Sequence, residues 1–319
     1  MKRLLVVLLL LIASPAIAQD NWPNKPIKFI VPFATGGATD VLTRLLCEQL
    51  TTEFKVPCVV DNKGGAGGNL GGAAVAGSSP DGYTFLVSAP GVLAYNKLIY
   101  RDMPFDPDKE LDPFCLYAFQ PNVLVVNPKL PVNTVKELVA YAKAHPRQLN
   151  YASGGVGSTS HVAGELFRTM ADLEWQHVPY RGTGPELVDL LAGQVQLTID
   201  NLPAILPHIR NGGLRALAIS TAERWPALPD LPTISEAGLP GYAAISWQMV
   251  AAPTGTPRPI LDRMAAAITK AAHDPAFKAK VAETGAATAG GTVDEARRFV
   301  KEEAVKWRDV VLKSGAKAD

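Results

Sequence analysis

Val31–Asp40 reads VPFATGGATD and follows directly on the apolar run IKFI, Ile27–Ile30. The run breaks at two adjacent glycines and resumes with apolar residues at helical spacing: Val41, Leu42, Leu45, Leu46 and Leu50. That is the pattern of a strand, a tight turn and a helix. The first turn of a helix presents backbone N–H groups without partners and a partial positive charge, so it attracts anions. Glycine there lets a guest approach the backbone and lets the chain take dihedrals closed to other residues. Thr35, Gly36, Gly37, Ala38 and Thr39, flanked by Phe33, Ala34 and Asp40, form a first candidate anion-binding turn.

The same grammar recurs along the chain. VPCVVDN reads as a second strand, GGAGGNLGGAAVAGSS as a glycine-rich loop entering a small-residue helix at Asn69, and YTFLVSA as a third strand containing Ser88. This βαβαβ run predicts a parallel sheet with helices on its faces. A second unit opens near NVLVVNP. Its helix TVKELVAYAKAHP has Thr134 as N-cap and Pro146 just beyond its end. The strand LNYAS then leads into GGVGSTSH, where Gly154, Gly155, Gly157, Ser158 and Thr159 make a second glycine-and-hydroxyl turn before a helix. WQHVPY, VQLTIDN and LRALAIST read as further strands. YAAISWQMVAAP reads as a strand returning from this unit, and the tail as three helices with no strand among them. Thr292 and Glu295 have capping-box spacing at the last of these. The tail is expected to pack on the first unit. The chain is thus expected to be α/β with two lobes: 19–122 plus 248–319, and 123–247, joined by crossings near 118–126 and 242–252.

Ligands of open α/β sheets collect at the carboxyl ends of strands. One glycine-hydroxyl turn per lobe, facing one cleft, is what a clamshell for a small carboxylate would use. Neither turn carries a phosphate motif, because no Gly-Lys-Ser/Thr follows TGG and GGVGSTSH lacks the GxGxxG spacing. Several other residues keep two readings. His161 either contacts the guest or points to solvent, and Arg181 pairs with a carboxylate or is an ordinary surface arginine. Gly182 and Thr183 open another strand-to-helix turn suited to backbone contacts. Asp200 accepts a hydrogen bond from a guest amine or hydroxyl, or caps the next helix; Asn69 is a similar choice. Phe33 and Trp247 either wall the guest or fill the core. Gly36 and Gly155 are expected to tolerate no bulky side chain without loss of binding.

Composition narrows the function. The opening MKR, the apolar run LLVVLLLLIA and Ala16-Ile17-Ala18 form a secretory signal peptide, 1–18, which implies export to a periplasm-like space. A formal net charge of +1 argues against a nucleic-acid partner. Three cysteines in an oxidising compartment leave one over. Cys47 and Cys58 flank a short connection and could pair, with Cys115 a buried free thiol. Five histidines without a metal-ligand spacing suggest no metal site, and no cofactor is expected. Ser158, Ser160, His161 and Asp200 suggest a serine carboxyl-ester hydrolase as an alternative, but no GxSxG elbow is present.

Taken in order, VPFATGGATD, DNKGGAGGNLGGAAVAGSSPDGYTFL, YASGGVGSTSHVAGELF, HVPYRGTGPELVDLLAGQVQLTIDNLPAILPHI, LRALAISTAERWPALPDLPTISEAGLPGY and APTGTP resemble the Bug-type receptors of tripartite tricarboxylate transporters across nearly the whole chain after the leader. The resemblance implies a type II-like Venus-flytrap binding protein, each lobe a mainly parallel sheet flanked by helices. It also implies a protein that holds a carboxylate between two strand-to-helix loops and delivers it to membrane permease subunits, or serves as an orphan sensor for signalling; a monomer is expected. Carried over by position, Thr35–Thr39 and Gly154–Thr159 are the gripping loops. PYRGTGP departs from the family pattern at Arg181 and Thr183, so the identity of the acid does not transfer.

Overall fold

The structure, a computed structural model, describes residues 22–318, so the signal peptide read at 1–18 lies outside the described residues. Three parallel strands open the fold: β1 (Ile27–Val31) pairs on one side with β2 (Cys58–Asn62) and on the other with β3 (Thr84–Ser88). They are connected by α1 (Ala38–Phe54) and α2 (Asn69–Ala76). A π-type turn at Gly91–Tyr95 and two short helices, α3 (Asn96–Ile99) and α4 (Pro107–Glu110), lead into β4 (Leu111–Val126).

β4 holds the molecule together. The sequence marks here only the opening of a second unit near NVLVVNP and a crossing near 118–126, whereas the strand has 16 residues; the stretch LDPFCLYAF has no polar alternation to mark it. Its first part pairs antiparallel with β9 (Ile245–Pro253), and its second part pairs antiparallel with β7 (Leu197–Asn201) and β8 (Arg215–Ile219). Buried on both sides, it reads as a nearly continuous apolar run. Beyond β7 lie the parallel strands β5 (Asn150–Ser153) and β6 (Gln176–Pro179). The edges are therefore parallel and the middle antiparallel, in the order β2-β1-β3-β9-β4-β7-β5-β6. The connecting helices are α5 (Val135–Ala144), α6 (Thr159–Ala171), α7 (Thr183–Ala192) and α8 (Leu202–Arg210).

The tail departs from expectation in two ways. Between its helices α9 (Arg258–His273), α10 (Pro275–Glu283) and α11 (Val293–Ser314) lies a two-residue strand, β10 (Ala287–Thr288), which pairs with β4. α11 also does not stay with the first unit. Its buried stripe, Val293, Ala296, Val300, Glu303, Trp307 and Val311, reaches both ways. Trp307 packs on Tyr95 of the first half, and at the helix end the Thr169 hydroxyl of α6 donates to the Ser314 carbonyl. A stripe at intervals of three and four residues shows only that one face is buried, not against which partner. No helix of the described residues is long and apolar enough to cross a membrane.

Cys47 on α1 and Cys58 at the start of β2 form a disulfide, and Cys115 is a buried free thiol whose pKa burial raises to about 12. The bridge closes a loop across a separation of 11 residues. Loop-closure entropy then predicts that the double variant Cys47→Ala, Cys58→Ala loses about 2–3 kcal/mol in urea unfolding. An unchanged midpoint would show that α1 and β2 need no tether.

Candidate functional site

The turn between β1 and α1 is held by Asp40. Its carboxylate accepts from the Gly36 N–H at 3.0 Å, from Asn62 Nδ2 at 3.0 Å and from the Arg44 guanidinium at 2.9 Å. Burial would raise its pKa, but these bonds outweigh it and hold the carboxyl below its usual value. Asp40 thus shapes the turn from behind. The opposite turn is propped in a similar way: the Gly154 N–H donates to Ser160 Oγ, the Ser158 hydroxyl caps α6 at the His161 N–H, and the Gly157 N–H donates to His161 Nδ1.

A narrow cavity of about 20 Å³ lies where these turns meet. It is lined by Phe33, Gly37, Ala38 and Thr39 from one half and by Gly154, Ser158, Thr159, Thr183 and Asp200 from the other, with Ala89, Ser160 and Asn201 added. Beside the two gripping turns, the turn at Gly182–Thr183 and the helix after Asp200 also reach the cavity, so four helix starts converge: those of α1, α6, α7 at Thr183, and α8, whose N-cap is Asn201. Among the described residues, the N–H groups of Ala38, Thr39, Thr159 and Ser160 carry no hydrogen bond. No lysine, arginine or histidine lines the cavity, so any attraction for an anion comes from the helix ends, set against the carboxyl of Asp200, which also lines it. Its volume is that of about one water, so a larger guest enters only with the halves further apart.

The remaining expected residues do other work. Arg181 has an exposed side chain, and it is its carbonyl that faces the cleft, accepting from the Ala34 N–H at 3.2 Å. His161 neither lines the cavity nor reaches solvent, contrary to both readings. It is 3% exposed and stacks on His177 with ring centroids 4.3 Å apart. Asn69 is buried against Asn96, whose Nδ2 donates to its Oδ1 at 2.7 Å, and the Ser88 hydroxyl bonds the Ala89 carbonyl. Trp247 belongs to the core, its indole N–H on Glu303. The residues named for the hydrolase alternative form no nucleophile–base bond, because the His161 ring is engaged by a backbone N–H rather than by Ser158 or Ser160; the serine–histidine bond nearby is between Ser153 Oγ and His177 Nε2 at 2.6 Å, and neither residue lines the cavity.

Many glycines of these turns serve the contact between the halves. A Cβ on Gly67 would lie 2.1 Å from the Val156 carbonyl, on Gly182 2.7 Å from the Ala34 nitrogen, and on Gly184 2.5 Å from the Thr35 carbonyl. The Tyr100 hydroxyl also donates across to the Val156 carbonyl at 2.6 Å. Gly36 differs from these. A Cβ there meets nothing within 4 Å, and only its φ of +86° favours glycine. Gly155 combines a φ of +121° with a Tyr180 carbonyl 2.8 Å from its would-be Cβ, within its own half.

The sequence reading missed the side chains that β4 and β9 send up to the site. Gln248 Nε2 donates to Thr39 Oγ1 at 3.1 Å, Gln120 Nε2 to Asn201 Oδ1 at 2.9 Å, and Asn122 Nδ2 to the Thr159 carbonyl at 3.4 Å. The only signal for them is the polar interruptions QPN and WQM inside apolar strands. Glu186, on α7, was missed altogether.

Burial lowers the pKa of His161 to about 4, and burial with the neighbouring ring lowers that of His177 to about 3. An unfolded histidine titrates near about 6.5, so below that pH the unfolded chain binds more protons than the fold. Stability is therefore full above about pH 6.5 and is lost as pH falls toward the folded values. We expect unfolding free energy to drop by about 3 kcal/mol between about pH 7 and pH 5. A flat profile over that range would show that both rings protonate within the fold.

A sequence profile described as "Tripartite tricarboxylate transporter family receptor" matches residues 42–316. The chain belongs to that receptor family. The receptor is 39% identical over 322 residues to Protein BugT of Bordetella pertussis, covering 99% of each chain. Among solved structures it resembles "R. palustris Rpa4515 with adipate" with a TM-score of 0.91 and 42% identity, covering 93% of this chain and 99% of that one. It also resembles MatC from Rhodopseudomonas palustris with bound malate, at a TM-score of 0.86 and 33% identity over 91% and 99%. The receptor shares the two-lobed α/β fold of periplasmic binding proteins, with mixed rather than wholly parallel sheets.

Proposed function

We propose that this receptor captures a small organic carboxylate in the periplasm and hands it to the membrane permease of a tripartite tricarboxylate transporter. One observation carries the reading: four helix starts, from both halves, converge on a single cavity that no cationic side chain lines. Such a cavity offers an anion preorganised N–H groups and hydroxyls rather than a counter-ion. Ser158, Thr159, Thr39 and Thr183 supply hydroxyls, Gly37 and Gly154 give backbone access, and Phe33 and Ala89 face the apolar part of the guest. Two of the solved relatives are described with adipate and malate, both dicarboxylates.

In this reading the lobes are 19–122 with 248–319, and 123–247, and they part by bending β4 and β9 near 118–126 and 242–252. An open form admits the acid, and closure adds the second half's contacts and shifts the population. The test is thermal unfolding of the receptor, without its leader, against di- and tricarboxylates, amino acids and aromatic acids. At about a hundred times Kd a guest stabilises by about 2.7 kcal/mol, which raises the midpoint by roughly 5 °C. If no acid in the panel moves the midpoint, the proposal is wrong.

A further inference from the structure

Two carboxyl groups lie under the cavity without a cation. Asp200 lines it, 1% exposed, and accepts three hydrogen bonds: from the Thr183 hydroxyl at 2.6 Å, and from the N–H and Nδ2 of Asn201 at 2.7 and 2.8 Å. Three donors suit an ionised acceptor. Glu186 lies behind it, 0% exposed, and among the described residues neither of its oxygens receives a hydrogen bond, since the hydroxyl of the neighbouring Thr198, which would lower its pKa, donates to the Ala152 carbonyl at 2.9 Å instead. The two carboxyls are within hydrogen-bonding reach of each other. Burial raises the pKa of both, and the charge of Asp200 raises that of Glu186 further. A buried carboxylate with no donor is the costly state, so Glu186 carries a proton and directs it at Asp200.

No neighbouring charge offsets the pair. α6 brings His161 and the Glu165–Arg168 ion pair, and β6 brings His177. The turn before α7 brings Arg181, with its exposed side chain, and Tyr180, whose hydroxyl donates to Asp189 on α7; α8 carries His208 and Arg210. None of these is hydrogen-bonded or ion-paired to either carboxyl. A carboxylate guest in this cavity would thus place a second negative charge beside Asp200. At a separation of about 5 Å that repulsion raises the proton affinity of the site about a hundredfold.

We propose that the cleft takes up a proton together with its carboxylate guest, and that the proton resides on Asp200 with protonated Glu186 behind it. The inference rests on the carboxylate reading above. The proton comes from the solvent, and no bond other than O–H forms or breaks. The sign follows from linkage. The occupied cleft binds more protons than the empty one, so affinity rises as pH falls, by up to about tenfold per pH unit, until the guest itself protonates.

The test is calorimetric titration of the whole exported chain with adipate and with malate, between about pH 6 and pH 8, in phosphate and in Tris, whose ionisation heats differ. We expect the parent to take up a fraction of a proton approaching one per guest. Asp200→Asn should take up none, with an affinity that no longer varies with pH. Glu186→Gln, whose amide still donates to Asp200, should keep the uptake. Binding without uptake in the parent overturns the inference and leaves the carboxylate reading standing. Undiminished uptake in Asp200→Asn places the proton on the guest, and lost uptake in Glu186→Gln places it on Glu186; either result overturns the assignment. If neither acid binds the parent, the titration is run with whichever acid of the thermal panel raises the midpoint; if none does, the carboxylate reading and this inference fail together. Should a variant not fold, the buffer dependence of the parent alone decides whether a proton is captured.

Discussion

Gly184→Ala is expected to unfold no more readily than the parent and yet to bind its carboxylate about ten- to a hundredfold more weakly. Gly184 is the second residue of α7, where alanine is the better helix former by about 1 kcal/mol. While the halves are apart, the substitution therefore favours the fold. On closure its Cβ would stand 2.5 Å from the Thr35 carbonyl, a contact between backbones that no side-chain rotation relieves. Overpacking of this kind costs about 1–3 kcal/mol, or roughly one to two decades of affinity. Thermal unfolding without guest and calorimetry with it separate the two effects. Equal affinity in parent and variant would mean that the approach of Gly184 to Thr35 is no part of the bound state.

Thr159→Asp tests the helix mouths themselves and should have the larger effect on binding. Thr159 is the first residue of α6 and lines the cavity. An acid in the first turn of an exposed helix favours the fold by about 0.3–1 kcal/mol, but Thr159 is buried beside Asn201, so desolvation offsets that gain and the unfolding of each variant is measured without guest. Facing an anionic guest, the same charge cancels the potential that attracts it, and we expect more than a hundredfold loss of affinity, about 3 kcal/mol. Thr159→Asn has nearly the same shape without the charge, and replacing the hydroxyl should cost about tenfold at most. The ratio between the two variants therefore reads the charge alone. If Asp and Asn at this position bind alike, the carboxylate lies away from α6 and the site has been placed on the wrong elements.

Much of this was legible beforehand for a physical reason. Strand-to-helix turns are local events, written in adjacent residues: IKFI, then two glycines, then Val41, Leu42 and Leu45 at helical spacing. The turns at Gly37 and Ser158 and the caps at Thr134 and Thr292 are of this kind, and the structure has all of them where the local pattern predicts. The reading ran out where meaning depends on distant partners. His161 sits one turn into α6 as a ligand contact would, yet its ring turns inward to His177, 16 residues away in sequence and on another element. Arg181 offers a guanidinium in the sequence and a carbonyl in the fold. Glu186 gave no signal because one acid among Pro, Leu and Val on an amphipathic helix looks like an ordinary polar face until the helix is packed.

The amino-acid sequence by itself determined the α/β alternation, the two glycine-hydroxyl turns and membership of the receptor family, because these depend on short-range steric and hydrogen-bonding rules and on blocks of residues in a fixed order. Only the tertiary structure decided that four helix starts share one cavity, that the glycines bring backbone against backbone across the cleft, and that Asp200 and Glu186 stand together beneath that cavity. Those are relations between elements far apart in the chain. They are set by how β4 and β9 cross from one half to the other and by how the two halves meet, and neither is encoded in any single stretch.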